Sequence, residues 1–314
     1  MKKILITCVA YGDTYTNLFL NNHLTSLLDE TNIPAFADRV EYIVFTDMAS
    51  AKKIEAHPNW ERLSKLIPTD IAEMCPPTHE ARYNVLETQL QESIQIGLKG
   101  DYYVSAMVAD LVVARGFISR IFSHLDSGFD SVFMLPLRSV AETIQLPKSG
   151  ALDPMELCWR GYENLHPLWS ACHWGVPQFT KLPYSLLWNT GLGILARSFS
   201  ITPIVFTPYE EMKRCKMIDY DVPSLCKKPY WATDWIDAPV IGCEPIIAFY
   251  PPFQNACQNR IEWIGKGFAK QLHPSQSQWL NKKLFYPSAK HVAATPAVLK
   301  ESDDVVKAIF HWSQ

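Results

Sequence analysis

Four short stretches of this chain hold residue types that can do chemistry together. Ala10-Tyr11-Gly12-Asp13-Thr14-Tyr15 directly follows an apolar run. A tyrosine and an aspartate in such a loop can hold a nucleobase by stacking and hydrogen bonding, and they equally suit a polar connection between strand and helix. Met107-Val108-Ala109-Asp110 ends a second apolar run. A lone carboxylate there can ligate a divalent cation, hold a sugar hydroxyl, or cap the next helix. Trp188-Asn189-Thr190-Gly191-Leu192-Gly193 joins an amide, donor and acceptor at once, to glycines that let a ligand approach the backbone. Packing alone also accounts for glycines in a strand. Asp234 and Asp237 flank Trp235, and a carboxylate beside an acceptor hydroxyl can act as a general base. Asp219, Asp221 and Glu244 supply further carboxylates in the same half.

These carboxylates share their half of the chain with an aromatic block. Of ten tryptophans, nine lie from Trp159 onward. Trp159, Trp169, Trp174, Trp188, Trp231 and Trp235 offer flat faces for the C–H side of a sugar ring, and a dense core needs the same residues. His166 and His173 lack metal-ligand spacing and suit structural roles. Other chemistries are absent. There is neither a G-x-G-x-x-G turn nor a Walker phosphate loop, and none of the eight cysteines has C-x-x-C spacing. The net charge of -3 argues against a nucleic-acid partner.

The elements that must position these residues show in the hydrophobic pattern. Continuous apolar runs predict buried strands over 3–9, 40–45, 101–108 and 131–135. Helical spacing marks 16–29, 79–98, with Gly97 and Gly100 as its stop, and 116–125. Strands alternating with helices predict an α/β fold with a central, mainly parallel sheet. Ligands of such sheets bind beyond the carboxyl ends of the strands, here the loops near Ala10, Asp47, Ala109 and Arg138. Further on, 155–165 reads as helix, 186–196 as strand, 204–206 as strand, and 302–312 as a helix capped by Ser302. The expected division is a catalytic domain over 1–250, with a nucleotide-binding half (1–138) and an acceptor half (139–250), then a C-terminal appendage over 251–314. Lys2-Lys3 before a seven-residue apolar run suits a first strand better than a signal peptide, and no run reaches membrane-span length. Scattered thiols suit a reducing, cytoplasmic setting.

Several of these pieces resemble nucleotide-sugar-dependent glycosyltransferases of the GT-A fold. Ile4 to Thr7, then Asp13 and Tyr15, then a helix with Ser26-Leu27-Leu28, is similar to the opening of glycogenin-like transferases. Val108-Ala109-Asp110 lies where that group carries its D-x-D metal motif. Trp188-Asn189-Thr190-Gly191-Leu192 is similar to its F-N-x-G strand. The resemblance covers roughly residues 3–206. It implies a GT-A-like fold and transfer of a sugar from a nucleotide-sugar, UDP-linked or other, to a glycan, lipid or protein acceptor. It implies donor contacts from Ala10, Tyr11, Asp13, Tyr15, Asp47, Arg82, Asp110 and Gly191, with Asp234, Asp237 and Asn189 as catalytic candidates. Val108 replaces the first Asp of D-x-D, and Lys228-Pro229-Tyr230-Trp231 matches only a fragment of a late metal motif. Either Asp110 holds Mn²⁺ or Mg²⁺ with other ligands, or a cation such as Arg82, Arg115 or Arg138 replaces the metal. Two other classes remain open: a non-catalytic carbohydrate-binding protein with a transferase-like fold, and a Rossmann-like methyltransferase.

Overall fold

A computed structural model describes residues 2–74, 82–148, 150–176, 179, 185–246, 261–269 and 276–313. The long apolar runs become the middle of a seven-stranded sheet. Its strands include β1 (Ile4–Val9), β2 (Val40–Thr46), β3 (Thr69–Glu73) and β4 (Tyr103–Val108). β5 (Leu111–Val113) and β7 (Leu137–Val140) belong elsewhere, while β6 (Ser131–Met134) returns to this sheet. It is completed after β8 (Ser185–Asn189) and β9 (Ile194–Ser198) by β10 (Thr202–Phe206) and β11 (Pro229–Trp231). The order is β11-β6-β10-β4-β1-β2-β3, parallel except for β10. Every residue of β1 is buried, which explains its unbroken apolar run: helices cover both faces.

β1 has β2 on one side and β4 on the other, with Val9 level with Phe45 and Val108. The chain leaves β1 towards β2 and returns across it to β4, so a topological switch point lies between β1 and β4. Two expected ligand loops, at Ala10 and Ala109, emerge there side by side.

A second sheet has three strands and is joined to the first through the short link from β4 to β5. It has the order β5-β12-β7, with β12 spanning Val240–Glu244. A third has the order β13-β9-β8, with β13 at Leu284–Tyr286. The expected 186–196 strand is therefore a hairpin: β8 pairs antiparallel with β9, and Gly191 (φ 81°) turns the chain. The proposed domain halves interleave, because β6 from the first half lies between β10 and β11 from the second. Within the expected C-terminal appendage, β13 pairs with β9 and Tyr286 donates to the Leu135 carbonyl at 2.6 Å.

Other expectations shift for identifiable reasons. The helix at Arg82–Gly100 runs through Gly97, which stops nothing. A methyl there would lie 2.4 Å from Val104 Cγ2, so the glycine permits close helix–sheet contact. The start of that helix expected at 79–81 lies outside the described residues. Leu86, one of the apolar residues of this helix, is exposed. Ser302 is no cap, because the last helix begins at Pro296 and Ser302 lies buried inside it. Helices at Met48–Glu55 and Pro58–Leu66 and the edge strand β3 were not legible. β3 reads Thr-Asp-Ile-Ala-Glu with both faces partly exposed, so it carries no alternation.

One buried arginine holds the last helix. Arg197 on β9 pairs with Asp303, and its Nη1 donates to the Asn281 carbonyl at 2.7 Å and to that of Leu280 at 3.4 Å. Arg197→Ala removes these hydrogen bonds together with the Asp303 pair and is expected to cost about 3 kcal/mol. Urea unfolding of the two proteins checks this.

Candidate functional site at the switch point

Asp110 follows β4 by two residues and ends up 7% exposed. Its Oδ2 accepts from Arg138 Nη1 at 3.1 Å. The same nitrogen lies 3.3 Å from Glu244 Oε1. The three residues come from the three strands of the small sheet: Asp110 precedes β5, Arg138 is on β7 and Glu244 ends β12. Backbone geometry dictates the meeting. Gly242 is level with Arg138 in the ladder, and a methyl on it would come 2.5 Å from Arg138 Nη1. Only glycine lets the arginine lie flat across β12 towards Asp110. The Cys243 N–H, in turn, donates to the Asp110 carbonyl at 2.7 Å.

Asp110 Oδ1 is buried and accepts no hydrogen bond. Burial pushes the Asp110 carboxyl up to about 6; Arg138 opposes that rise and Glu244 adds to it. Tyr15, on the helix Gly12–Leu18 that follows β1 where a loop was expected, lies close enough to feel the charges of the same cluster. Burial, and then the charges of Asp110 and Glu244, push its phenol up to about 12. The Tyr11 ring lies 6.4 Å from that of Tyr15. His166 is held by backbone contacts on both sides: its N–H donates to the Arg138 carbonyl at 2.9 Å, and its Nδ1 accepts from the Leu168 N–H at 3.3 Å. Burial lowers its pKa.

The loops flanking the crevice are braced. Asp47 caps the helix Met48–Glu55 by accepting from the N–H groups of Ala49 and Ser50, both at 2.9 Å. Its other oxygen accepts from the Ser50 hydroxyl and the Gly12 N–H, which ties the β2 loop to the β1 loop. Burial alone would raise its pKa; these hydrogen bonds bring it below the usual carboxylate range. Ala10 is buried, with its N–H on the Phe45 carbonyl and its own carbonyl accepting from the Thr46 hydroxyl. Asp13 is exposed and paired with Lys53. Asp47 is thus a brace, while Asp13 and Tyr15 are exposed and Tyr11 is half-buried.

The remaining candidates sit elsewhere. Asn189 accepts from the Gly191 N–H at 2.8 Å within its own exposed turn, and no described contact ties either residue to Asp110. Asp234 accepts from the Ala289 N–H at 2.8 Å. Asp237 accepts from the Tyr230 hydroxyl at 2.7 Å. Both therefore join chain segments, and the charges acting on Asp110 are Arg138 and Glu244 instead. Arg115 pairs with Asp29 and Glu30. Arg82 opens its helix, but its side chain lies outside the described residues. Glu244 and Arg138 thus form the cluster. Gly242, between Ile241 and Cys243 in β12, was the sequence signal for close approach there.

The cluster does not fit the divalent ion that the resemblance implies. A cation bridging Asp110 and Glu244 would stand where the Arg138 guanidinium already lies. Among the described residues no group of three His, Cys, Asp or Glu could hold a metal. What the cluster does offer is one buried oxygen waiting for a donor, beside a fixed positive charge. A ligand hydroxyl satisfies the first and a phosphate or sulfate oxygen suits the second.

Comparison with known protein families and with curated proteins finds no match. Among the described residues no helix is long and apolar enough to cross a membrane.

The raised carboxyl sets a pH dependence. The folded-state value of about 6 lies above the ordinary 3.8. The neutral acid therefore favours folding: this contribution is complete below the lower value and is lost as pH rises through the upper one. A ¹³C NMR titration is expected to place the Asp110 midpoint near 6. In Arg138→Met the midpoint moves higher, because the guanidinium no longer favours the charged form.

Proposed function

We propose that this chain is a glycosyltransferase of GT-A-like fold, which binds a nucleotide-sugar in the crevice between the β1 and β4 loops. One observation carries the reading: Asp110 presents a buried, unpartnered oxygen beside Arg138, at the switch point, and Tyr15 on the helix Gly12–Leu18 feels its charge. Tyr11 and Tyr15 are the stacking groups for the base. Asp110 Oδ1 accepts a donor hydroxyl. Arg138 supplies the positive charge that a departing diphosphate needs, in place of a metal. Glu244, 18% exposed on its side chain, is the carboxylate placed to take a proton from an acceptor hydroxyl. The acceptor is a glycan, lipid or protein bearing such a hydroxyl.

The occupied side chains of Asn189, Asp234 and Asp237 favour one second reading, a carbohydrate-binding protein without transfer activity. Binding separates the two. The transferase requires UDP or another nucleoside diphosphate to raise the melting temperature, whereas the binding protein responds to sugars alone. No shift from any nucleotide or nucleotide-sugar at millimolar concentration would sink the transferase reading.

Two outcomes follow from the cluster. Asp110→Asn is expected to cut sugar transfer by about 100-fold or more while the far-UV circular dichroism spectrum stays unchanged. Transfer is expected to run equally well in EDTA and in Mn²⁺, since Arg138 fills the cation position. A rate that collapses in EDTA and returns with Mn²⁺ would show that the guanidinium swings away.

A further inference from the structure

On a different face, the helical segment 12–27 borders a polar groove of about 520 Å³. That volume lies within the range of small-molecule sites, roughly 300–1,000 Å³. Three walls build it: Asn21, Asn22 and Thr25 on this segment, Asn59 and Arg62 on the helix Pro58–Leu66, and residues 144–148 with Gln145 and Lys148. Leu146 supplies a partly exposed apolar side chain among these polar groups, while Leu28 and Ile144 are buried beneath them. The groove shares no residue with the Asp110 cluster.

The walls are preorganised. Residues Phe19–His23 form a π-helical turn, a feature that frequently marks functional sites. Asn59 Nδ2 bridges the Leu20 carbonyl at 2.8 Å and the Thr25 hydroxyl at 3.0 Å, locking the two helices together. Arg62 donates to the Leu28 carbonyl at 3.0 Å. Asn21 and Asn22 donate to the Asn17 and Ile144 carbonyls through their amide nitrogens. Their amide oxygens, and that of Asn59, accept nothing from the described residues and stay available.

The chemistry selects a ligand class. Carboxamides offer donors and acceptors at the spacing of vicinal hydroxyls, and the apolar surface suits a sugar's C–H face. No aromatic ring lines the groove, so nothing there stacks a base. Among the described residues Arg62 and Lys148 are its charged lining groups, and both are cationic. Asp29, behind Gly150, is buried and satisfied by Ala151, Thr31 and Arg115. The geometry points to a second saccharide site for sugars that carry an acidic group, separate from the crevice and independent of transfer there.

The test is side-chain amide NMR on the full chain, titrated with glucuronic acid, glucose 6-phosphate and sialyllactose against glucose, lactose and sodium sulfate. The Asn21, Asn22 and Gln145 amide signals are expected to shift saturably with at least one acidic sugar, about tenfold more tightly than with its neutral counterpart. Lys148→Glu is expected to weaken that binding about tenfold without changing the melting temperature, because the side chain is exposed and makes no ion pair. No saturable shift with any acidic sugar, equal binding of the neutral ones, equal shifts with sulfate alone, or indifference to Lys148→Glu would each overturn the proposal. Asp110→Asn leaves these shifts in place, so loss of the crevice reading would not imply loss of this one.

Discussion

The guanidinium of Arg138 is the interaction on which the rest of the candidate site depends. Without it, two carboxylates would face each other across the small sheet. With it, Asp110 and Glu244 are held at 3.1 and 3.3 Å from one nitrogen. The arrangement is costly as well as cohesive. Burial disfavours the charged form of Asp110 more strongly than one arginine shared between two acids can offset, and the raised carboxyl is the result. A site that leaves one oxygen of that acid without a partner keeps a binding demand in reserve. A ligand that donates there recovers a hydrogen bond the folded protein lacks.

Three strands must meet for that cluster to exist, and each is held by something other than the charges. His23 Nδ1 bonds the Leu111 carbonyl at 2.7 Å, next to Asp110, and its Nε2 bonds the Tyr42 hydroxyl at 2.9 Å. Burial drives His23 down to about 4, so the ring stays neutral and joins β5 to β2 through one donor and one acceptor. Ser26 adds a hydrogen bond to the Val113 N–H. The helix that begins with the tyrosine loop therefore also fixes the strand that follows Asp110. Tyr15 and Asp110 are positioned by one rigid element, which keeps the two lips of the crevice in register.

Much of the frame was legible because its strands are buried on both faces and read as unbroken apolar runs. β1, β2, β4 and β6 lie where those runs fall. From them followed the parallel sheet and the attention to the loops at Ala10 and Ala109, which the pairing of β1 with β4 brings side by side. Long-range pairing was not legible. That β12 lies between β5 and β7, and so delivers Glu244 to Asp110, follows from register across more than a hundred residues. Local composition says nothing about it. Asp234 and Asp237 looked catalytic because they flank a tryptophan, yet their carboxylates bond the Ala289 N–H and the Tyr230 hydroxyl. A carboxylate pattern in sequence does not reveal which acids the fold consumes as internal acceptors.

The uneven tryptophan distribution takes on a different meaning in this light. Trp169, Trp188, Trp235 and Trp279 are buried, so much of the aromatic block is scaffold rather than an open platform for sugars. Trp235 shows what that scaffold does. Its ring is fully buried and its Nε1 donates to the Val240 carbonyl at 2.9 Å, at the first residue of β12. Four residues later that strand presents Glu244 to Arg138. The rings of the second half thus act on the site at one remove. Large side chains fix short, poorly patterned strands that propensity alone would not hold, and the strands aim the charges.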